Sequence, residues 1–252
     1  MQQTHIFINH QNIFTKFYPA QNALNKQTIV FLHEALGSVA QWGDFPQLIQ
    51  EKTGFNVLVY DRLGHGLSDA ATNKREKDYL HHEAWHVLPS VLNHFNIQNP
   101  ILWGHSDGGS IALLFGARFP TEALITEAAH IFVENITLEG IKAAVARKDF
   151  LIERLSYYHG NKTQDLWDAW ANIWLQPSFR DWNIEKFLPQ IKCPALIIQG
   201  ENDVYGTENQ IKSIVAGMDE KAKALMIPNC GHAPHKEATG IVLENSLNFL
   251  SV

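Results

Sequence analysis

The stretch Gly104-His105-Ser106-Asp107-Gly108-Gly109 joins a short apolar run, residues 100–103, to a helix-patterned segment, residues 108–119, that Pro120 closes. A serine on so tight a strand-to-helix turn is forced into strained backbone geometry, and glycines two positions either side let the neighbouring chain pass close by. Its hydroxyl is thereby presented outward. The helix N-terminus just beyond supplies unpaired N–H groups and the positive end of a dipole, where negative charge developing on an attacked carbonyl would be stabilised. A chance Gly-x-Ser-x-Gly is expected in roughly a few per cent of chains of this size. The strand before this one and the helix after it set it apart.

Outward from that turn, short β-branched and aromatic runs alternate with helical stretches, the order that specifies an α/β fold with a mainly parallel sheet and helices on both faces. Upstream, residues 28–32 read as a strand, 42–52 as a helix, 55–60 as a strand, and 82–95 as a helix that Pro89 must kink or break. Downstream, residues 123–129 form a strand carrying two polar residues, 195–199 and 224–227 supply the last two core strands, and 241–250 the closing helix. Between residues 131 and 186, helical stretches at 140–158 and 163–175 follow one another without an intervening strand. This segment reads as a helical cap inserted into a single domain spanning residues 1–252, with 189–194 the return to the sheet. There is no internal repeat and no low-complexity tract.

The chain is 45% hydrophobic and 18% charged, ordinary values for a globular protein with a large core. Its 20 Lys and Arg against 26 Asp and Glu leave a net charge of −6, so there is no basic field to attract nucleic acid or an anionic membrane. Cys193 and Cys230 are too few for a disulfide scaffold and point to a reducing compartment. The first residues carry no basic stretch followed by an apolar one, and no apolar run approaches the roughly 18 residues of a membrane span. The expectation is a cytoplasmic protein with no nucleic-acid or membrane partner. Nothing in the sequence specifies an oligomeric state.

A serine alone is a poor nucleophile at neutral pH, so Ser106 needs a base and an orienting acid later in the chain. After residues 195–199 comes Gly200-Glu201-Asn202-Asp203, and after residues 224–227 come Gly231 and His232. Both loops fall at the C-terminal edge of the sheet, where open α/β sheets place their sites. Asp203 lies 97 residues beyond Ser106 and His232 a further 29, which leaves room for the cap and then one βα unit.

In these residues the chain resembles the α/β-hydrolase superfamily, over nearly its whole length except the cap. Residues 104–109, Gly200-x-x-Asp203 and Gly231-His232 fall on that superfamily's nucleophile, acid and base positions. Two further stretches agree: Phe31-Leu32-His33 followed by Gly37-Ser38, and the more specific Tyr60-Asp61-Arg62-Leu63-Gly64-His65-Gly66-Leu67-Ser68. The resemblance implies Ser106 as nucleophile, His232 as general base and then acid, and Asp203 as the group that fixes the imidazole tautomer. It also implies an oxyanion hole built from the N–H of Asp107 and one N–H of the loop after Leu32. Ala35 is the first choice there, with Glu34 and Leu36 as alternatives. Relatives usually carry Gly directly after the loop histidine, where this chain has Glu34, which either faces the pocket or points to solvent or a nearby cation. Glu127 occupies a position from which some relatives supply the acid, but the motif favours Asp203.

His33 and His105 read as packing and loop-fixing residues, His235 as a surface or turn residue, and Cys230 as a buried small side chain with no basic neighbour to lower its pKa. His82-Glu83-Ala84-Trp85-His86 matches a zinc-binding pattern, but Pro89 and Leu92 stand where the extended motif requires Gly and His, and no Glu recurs before Glu122. Neither a metal nor a cofactor is expected. Trp167, Trp170 and Trp174 share one helical face of the cap. They form either a small cap core or, with Phe179 and Trp182 nearby, the roof of an apolar pocket. His130, at the start of the cap, reads as a hinge or as another pocket residue. The expected function is a serine hydrolase acting on a carboxylic ester or related small-molecule acyl compound through an acyl-enzyme. Ser rather than Asp at position 106 disfavours the dehalogenase and epoxide-hydrolase branches. Carbon–carbon bond hydrolases, a pyruvate-eliminating synthase and perhydrolases share the constellation, and a small-molecule binding protein with a retained triad is the non-enzymatic alternative.

Overall fold

The computed structural model describes residues 1–20, 22, 27–72 and 75–252. Its strands are β1 (Gln2–Ile8), β2 (Gln11–Tyr18), β3 (Thr28–Leu32), β4 (Asn56–Tyr60), β5 (Ile101–His105), β6 (Ala123–Glu127), β7 (Ala195–Gly200) and β8 (Ala222–Ile227). They form one sheet in the order β1-β2-β4-β3-β5-β6-β7-β8. β1 and β2 pair antiparallel with each other, β2 pairs antiparallel with β4, and every later pairing is parallel. The helices are α1 (Phe45–Thr53), α2 (Tyr79–His82), α3 (Leu88–His94), α4 (Asp107–Gly116), α5 (Asn135–Val145), α6 (Lys148–His159), α7 (Thr163–Leu175), α8 (Glu208–Met218), α9 (Pro234–Glu237) and α10 (Thr239–Leu250).

Every residue of β3 is buried, as a parallel strand covered on both faces requires. Ile29 and Phe31 pack with Phe45 and Ile49 of α1 and Val242 of α10, whereas Val30 and Leu32 pack with Val91 of α3 and Ile111 of α4. The period-two alternation of the strands thus sorts the helices onto two faces and leaves the C-terminal strand edge to loops.

The sequence reading starts its strands at Thr28, but the structure adds the β1–β2 hairpin upstream. Its turn is Asn9-His10, both at positive φ (50° and 65°), a two-residue loop whose twist suits antiparallel strands. In β1 only Ile6 and Ile8 are buried, so this edge strand lacks the apolar run that marks its neighbours. The helix expected over 82–95 starts earlier, at Tyr79, and is interrupted by a π-helical turn, Glu83–Val87, in which Leu88 N–H reaches back to Glu83 O. Pro89 lies in the first turn of α3, and the wider turn before it gives room for the proline ring and its missing N–H.

Between β6 and β7 the chain leaves the sheet through α5, α6 and α7, with the expected single stretch at 140–158 broken into two helices. Phe132 and Asn183 form an isolated antiparallel bridge, and Ile184 N–H donates to Ile131 O at 2.7 Å, closing the base of this excursion. Among the described residues no helix is long and apolar enough to cross a membrane.

Candidate active site

Ser106 stands between β5 and α4 with φ 54° and ψ −115°, a conformation that a non-glycine residue adopts only where its surroundings impose it. Two contacts impose it here. A Cβ on Gly104 would lie 2.1 Å from Gly108 O, and one on Gly108 would lie 1.9 Å from Leu32 O, so only glycine fits at either position. Ser106 N–H donates to Glu127 O at 2.8 Å, tying the turn to the end of β6.

The loops after β7 and β8 bring the expected acid and base to this serine. Ser106 Oγ is 3.0 Å from His232 Nε2, and His232 Nδ1 is 2.8 Å from both Asp203 oxygens. With Nδ1–H donating to the carboxylate, Nε2 is left to accept the hydroxyl proton. Burial disfavours the charged imidazole, but Asp203 and then Glu34 outweigh it and hold the His232 pKa above its ordinary value. Burial likewise pushes Asp203 up, yet His232 and the Tyr205 N–H bring it below the usual carboxylate range. Gln199, at the end of β7, donates Nε2–H to Asp203 Oδ2 at 2.6 Å, and the Tyr205 ring lies 4.8 Å from the His232 ring. Neither residue is singled out by the sequence motifs, although both flank the Gly200-x-x-Asp203 signature.

The Asp61-to-Ser68 stretch holds the loop after β3. Asp61 accepts the N–H groups of Val39 and Leu67 at 2.6 and 2.8 Å, and Ser68 Oγ–H donates to Asp61 O at 2.6 Å. Arg62 N–H donates to His33 Nε2 at 3.0 Å, and its Nη2 donates to Glu34 O at 2.7 Å. His33 therefore carries its proton on Nδ1, which donates to Glu34 O at 2.8 Å; burial, then Arg62, keeps the ring neutral. From the cap, His159 accepts Gly66 N–H on Nδ1 and donates Nε2–H to Leu36 O, both at 2.9 Å. The sequence reading did not single out His159, which becomes a site residue only through this cap-to-loop contact.

A cavity of about 350 Å³ opens above Ser106. Ala35, Asp107, His130 and the cap residues Trp167, Trp170 and Trp174 all line it, and the three tryptophans belong at the same time to the buried apolar cluster, so both expectations for them hold. Phe179 and Trp182 stack on each other behind Trp174. Glu34 faces this cavity and makes no ion pair among the described residues. Burial raises its pKa, but the facing His105, Lys236 and His232 reverse the sign and favour its charged form. His130 donates Nε2–H to Tyr205 O at 3.0 Å, with its ring 5.4 Å from that of Trp174.

Below the site, His105 donates Nε2–H to His232 O at 2.7 Å; burial, helped by His235, lowers its pKa to about 4. Glu127 is not the acid of this line. Its carboxylate accepts Trp103 Nε1–H at 2.6 Å and both the backbone N–H and the Nδ1–H of His235, at 2.7 and 3.0 Å. His235 is accordingly buried in α9, not a surface residue, because a fully buried carboxylate requires donors. Cys230 is buried as expected, and desolvation pushes its thiol up to about 11. In the His82–Glu83–His86 segment the two histidines are exposed, whereas Glu83 turns inward to accept the Tyr60 hydroxyl at 2.8 Å.

A mainly parallel eight-stranded sheet, a serine at a strained strand-to-helix turn and a helical excursion over the strand edge define a class. Residues 27–140 match the family described as alpha/beta hydrolase fold. The chain has the α/β-hydrolase fold, and in sequence it is similar to serine hydrolases and esterases. It is 23% identical to a 2-hydroxy-6-oxononadienedioate/2-hydroxy-6-oxononatrienedioate hydrolase of Comamonas testosteroni, over 98% of this chain and 95% of that one. With a bifunctional esterase/perhydrolase of Acinetobacter calcoaceticus it shares 27% identity over 69% of this chain and 74% of that one. Among solved structures, the enol-lactonase from Burkholderia xenovorans superposes with a TM-score of 0.78 at 15% identity, over 99% of this chain and 100% of the other.

Proposed function

We propose that this hydrolase cleaves a carboxylic ester or closely related acyl bond of a small molecule, with Ser106, His232 and Asp203 as its triad. The observation that carries the reading is the continuous line of hydrogen bonds from Ser106 Oγ to His232 to Asp203 beneath an aromatic cavity. His232 Nε2 takes the Ser106 proton as Oγ attacks the acyl carbon, and the resulting oxyanion is received by the N–H groups of Asp107 and Ala35. The imidazolium then protonates the departing alkoxide, and a water activated by the same imidazole releases the acid and restores Ser106. These steps draw on no metal or cofactor.

A second reading, cleavage of a carbon–carbon bond on the same triad, is favoured by the likeness to the Comamonas hydrolase along nearly the whole chain. The test treats purified protein with a fluorophosphonate, maps the adduct by peptide mass spectrometry, and follows p-nitrophenyl esters and 2-hydroxy-6-oxononadienedioate in parallel. Label on Ser106 together with ester turnover lost in Ser106→Ala supports the ester reading. Turnover of the dienedioate alone supports the second. Neither label nor turnover rejects both and favours a binding protein.

A further inference from the structure

Tyr79, at the start of α2, has no part in the mechanism above, yet its hydroxyl joins two halves of the site. It accepts the Trp174 indole N–H at 3.0 Å and donates to Asp107 Oδ2 at 2.9 Å. The same carboxylate oxygen lies 3.5 Å from Arg62 Nη1, and Arg62 Nη2 donates to Glu34 O. A chain of polar contacts therefore runs from the cavity wall, through the side chain of the residue whose amide faces the expected oxyanion, to the loop that carries Ala35.

On the serine hydrolase reading, we propose that Tyr79 is a positioning residue for the oxyanion hole, fixing Asp107 and coupling it to the Trp174 wall against which the acyl group packs. Asp107 is the first helical residue after the strained Ser106, so the direction of its N–H follows from how its side chain is held. Among the described residues that side chain has two polar partners, Arg62 and Tyr79. Burial, followed by the charge of Asp107, pushes the Tyr79 phenol well above its usual pKa, so it stays a donor across the working range. Both partners of the hydroxyl are buried, and each is left one hydrogen bond short if it is removed. Asp107 then relaxes toward Arg62, and Trp174 loses the contact that sets its ring over the acyl chain.

The test is Tyr79→Phe, which keeps the ring and removes the hydroxyl. Active sites are titrated with a fluorophosphonate, so that loss of folded protein does not count, and kcat and KM are measured per titrated site on butyrate and hexanoate esters. The expected result is a fall in kcat of about tenfold, with KM changed less than about twofold, because the lost contact acts on the transition state. A boronic acid that mimics the tetrahedral adduct should weaken by the same factor. Tyr79→Phe combined with Asp107→Asn should be no slower than the slower single variant, since both act through one amide. A kcat per titrated site within about twofold of the parent, or multiplicative effects in the double variant, would overturn the proposal while leaving the hydrolase reading intact. Absence of label on Ser106 in the unaltered protein would instead overturn the reading on which it rests.

Discussion

Glu34, directly after the loop histidine His33, lines the same cavity as His232, and its charge has a definite sign of effect. With burial opposing and Asp203 leading, Glu34 helps raise the His232 pKa. On the proposed mechanism His232 must be neutral to accept the Ser106 proton, so a raised pKa moves the acid limb of kcat/KM to higher pH. Glu34→Gln should therefore shift that limb to lower pH, measured with a neutral ester whose own charge does not change. Ser106→Ala should lower kcat by at least about 10⁴-fold at unchanged Tm. Gly108→Ala tests the turn itself: with Leu32 O at 1.9 Å from the added Cβ, neither backbone can yield cheaply, and urea denaturation should report a loss of more than about 3 kcal/mol. At this scale the sequence was most informative. Ser106, Asp203 and His232 announce themselves through glycine-flanked turns whose backbone requirements are local. Glu127 and His235 did not, because their pairing depends on two segments 108 residues apart meeting under the sheet edge.

Each strand of the parallel core ends in a loop that contributes one part of the site, and Glu127 binds two of those loops together. Its backbone carbonyl holds the Ser106 amide while its carboxylate holds His235, three residues beyond the base. Burial would raise its pKa, but His235, its hydrogen bonds and His105 lower it below the ordinary glutamate value. A depressed carboxylate pKa contributes stability that is complete above the unfolded-state value and is lost as the pH falls through the folded-state value. Glu127→Gln should thus flatten the acid side of the stability profile, read as denaturation midpoint against pH, whereas Glu127→Leu should cost about 3 kcal/mol at neutral pH by stranding buried donors. Among the elements, β3 to β7 were legible because almost all their residues are buried and read as largely apolar runs, whereas β8, with only its two ends buried, was read two residues short. The β1–β2 hairpin was not, since β1 buries only alternate residues near its end and its turn residues, Asn9 and His10, carry no glycine. The π turn before Pro89 was equally unreadable, being a backbone solution to a side-chain conflict that the sequence states only as a proline in a helical pattern.

For the molecule as a whole, Ser106, Asp203 and His232 lie at the sheet edge and much of the cavity wall lies on the excursion between β6 and β7. A cavity of about 350 Å³ is near the lower end of the range that encloses small ligands, so kcat/KM should fall from butyrate and hexanoate esters to palmitate in a chain-length series. The cap is also fastened at its rim. His159, at the end of α6, grips both the Gly66 amide and the Leu36 carbonyl, and Lys162 Nζ donates to Gly66 O at 2.8 Å. The loop after β3 is thus latched by the same excursion that walls the cavity. The two are mechanically one piece: drawing residues 159–162 away from the sheet edge means breaking three hydrogen bonds to the backbone at Leu36 and Gly66.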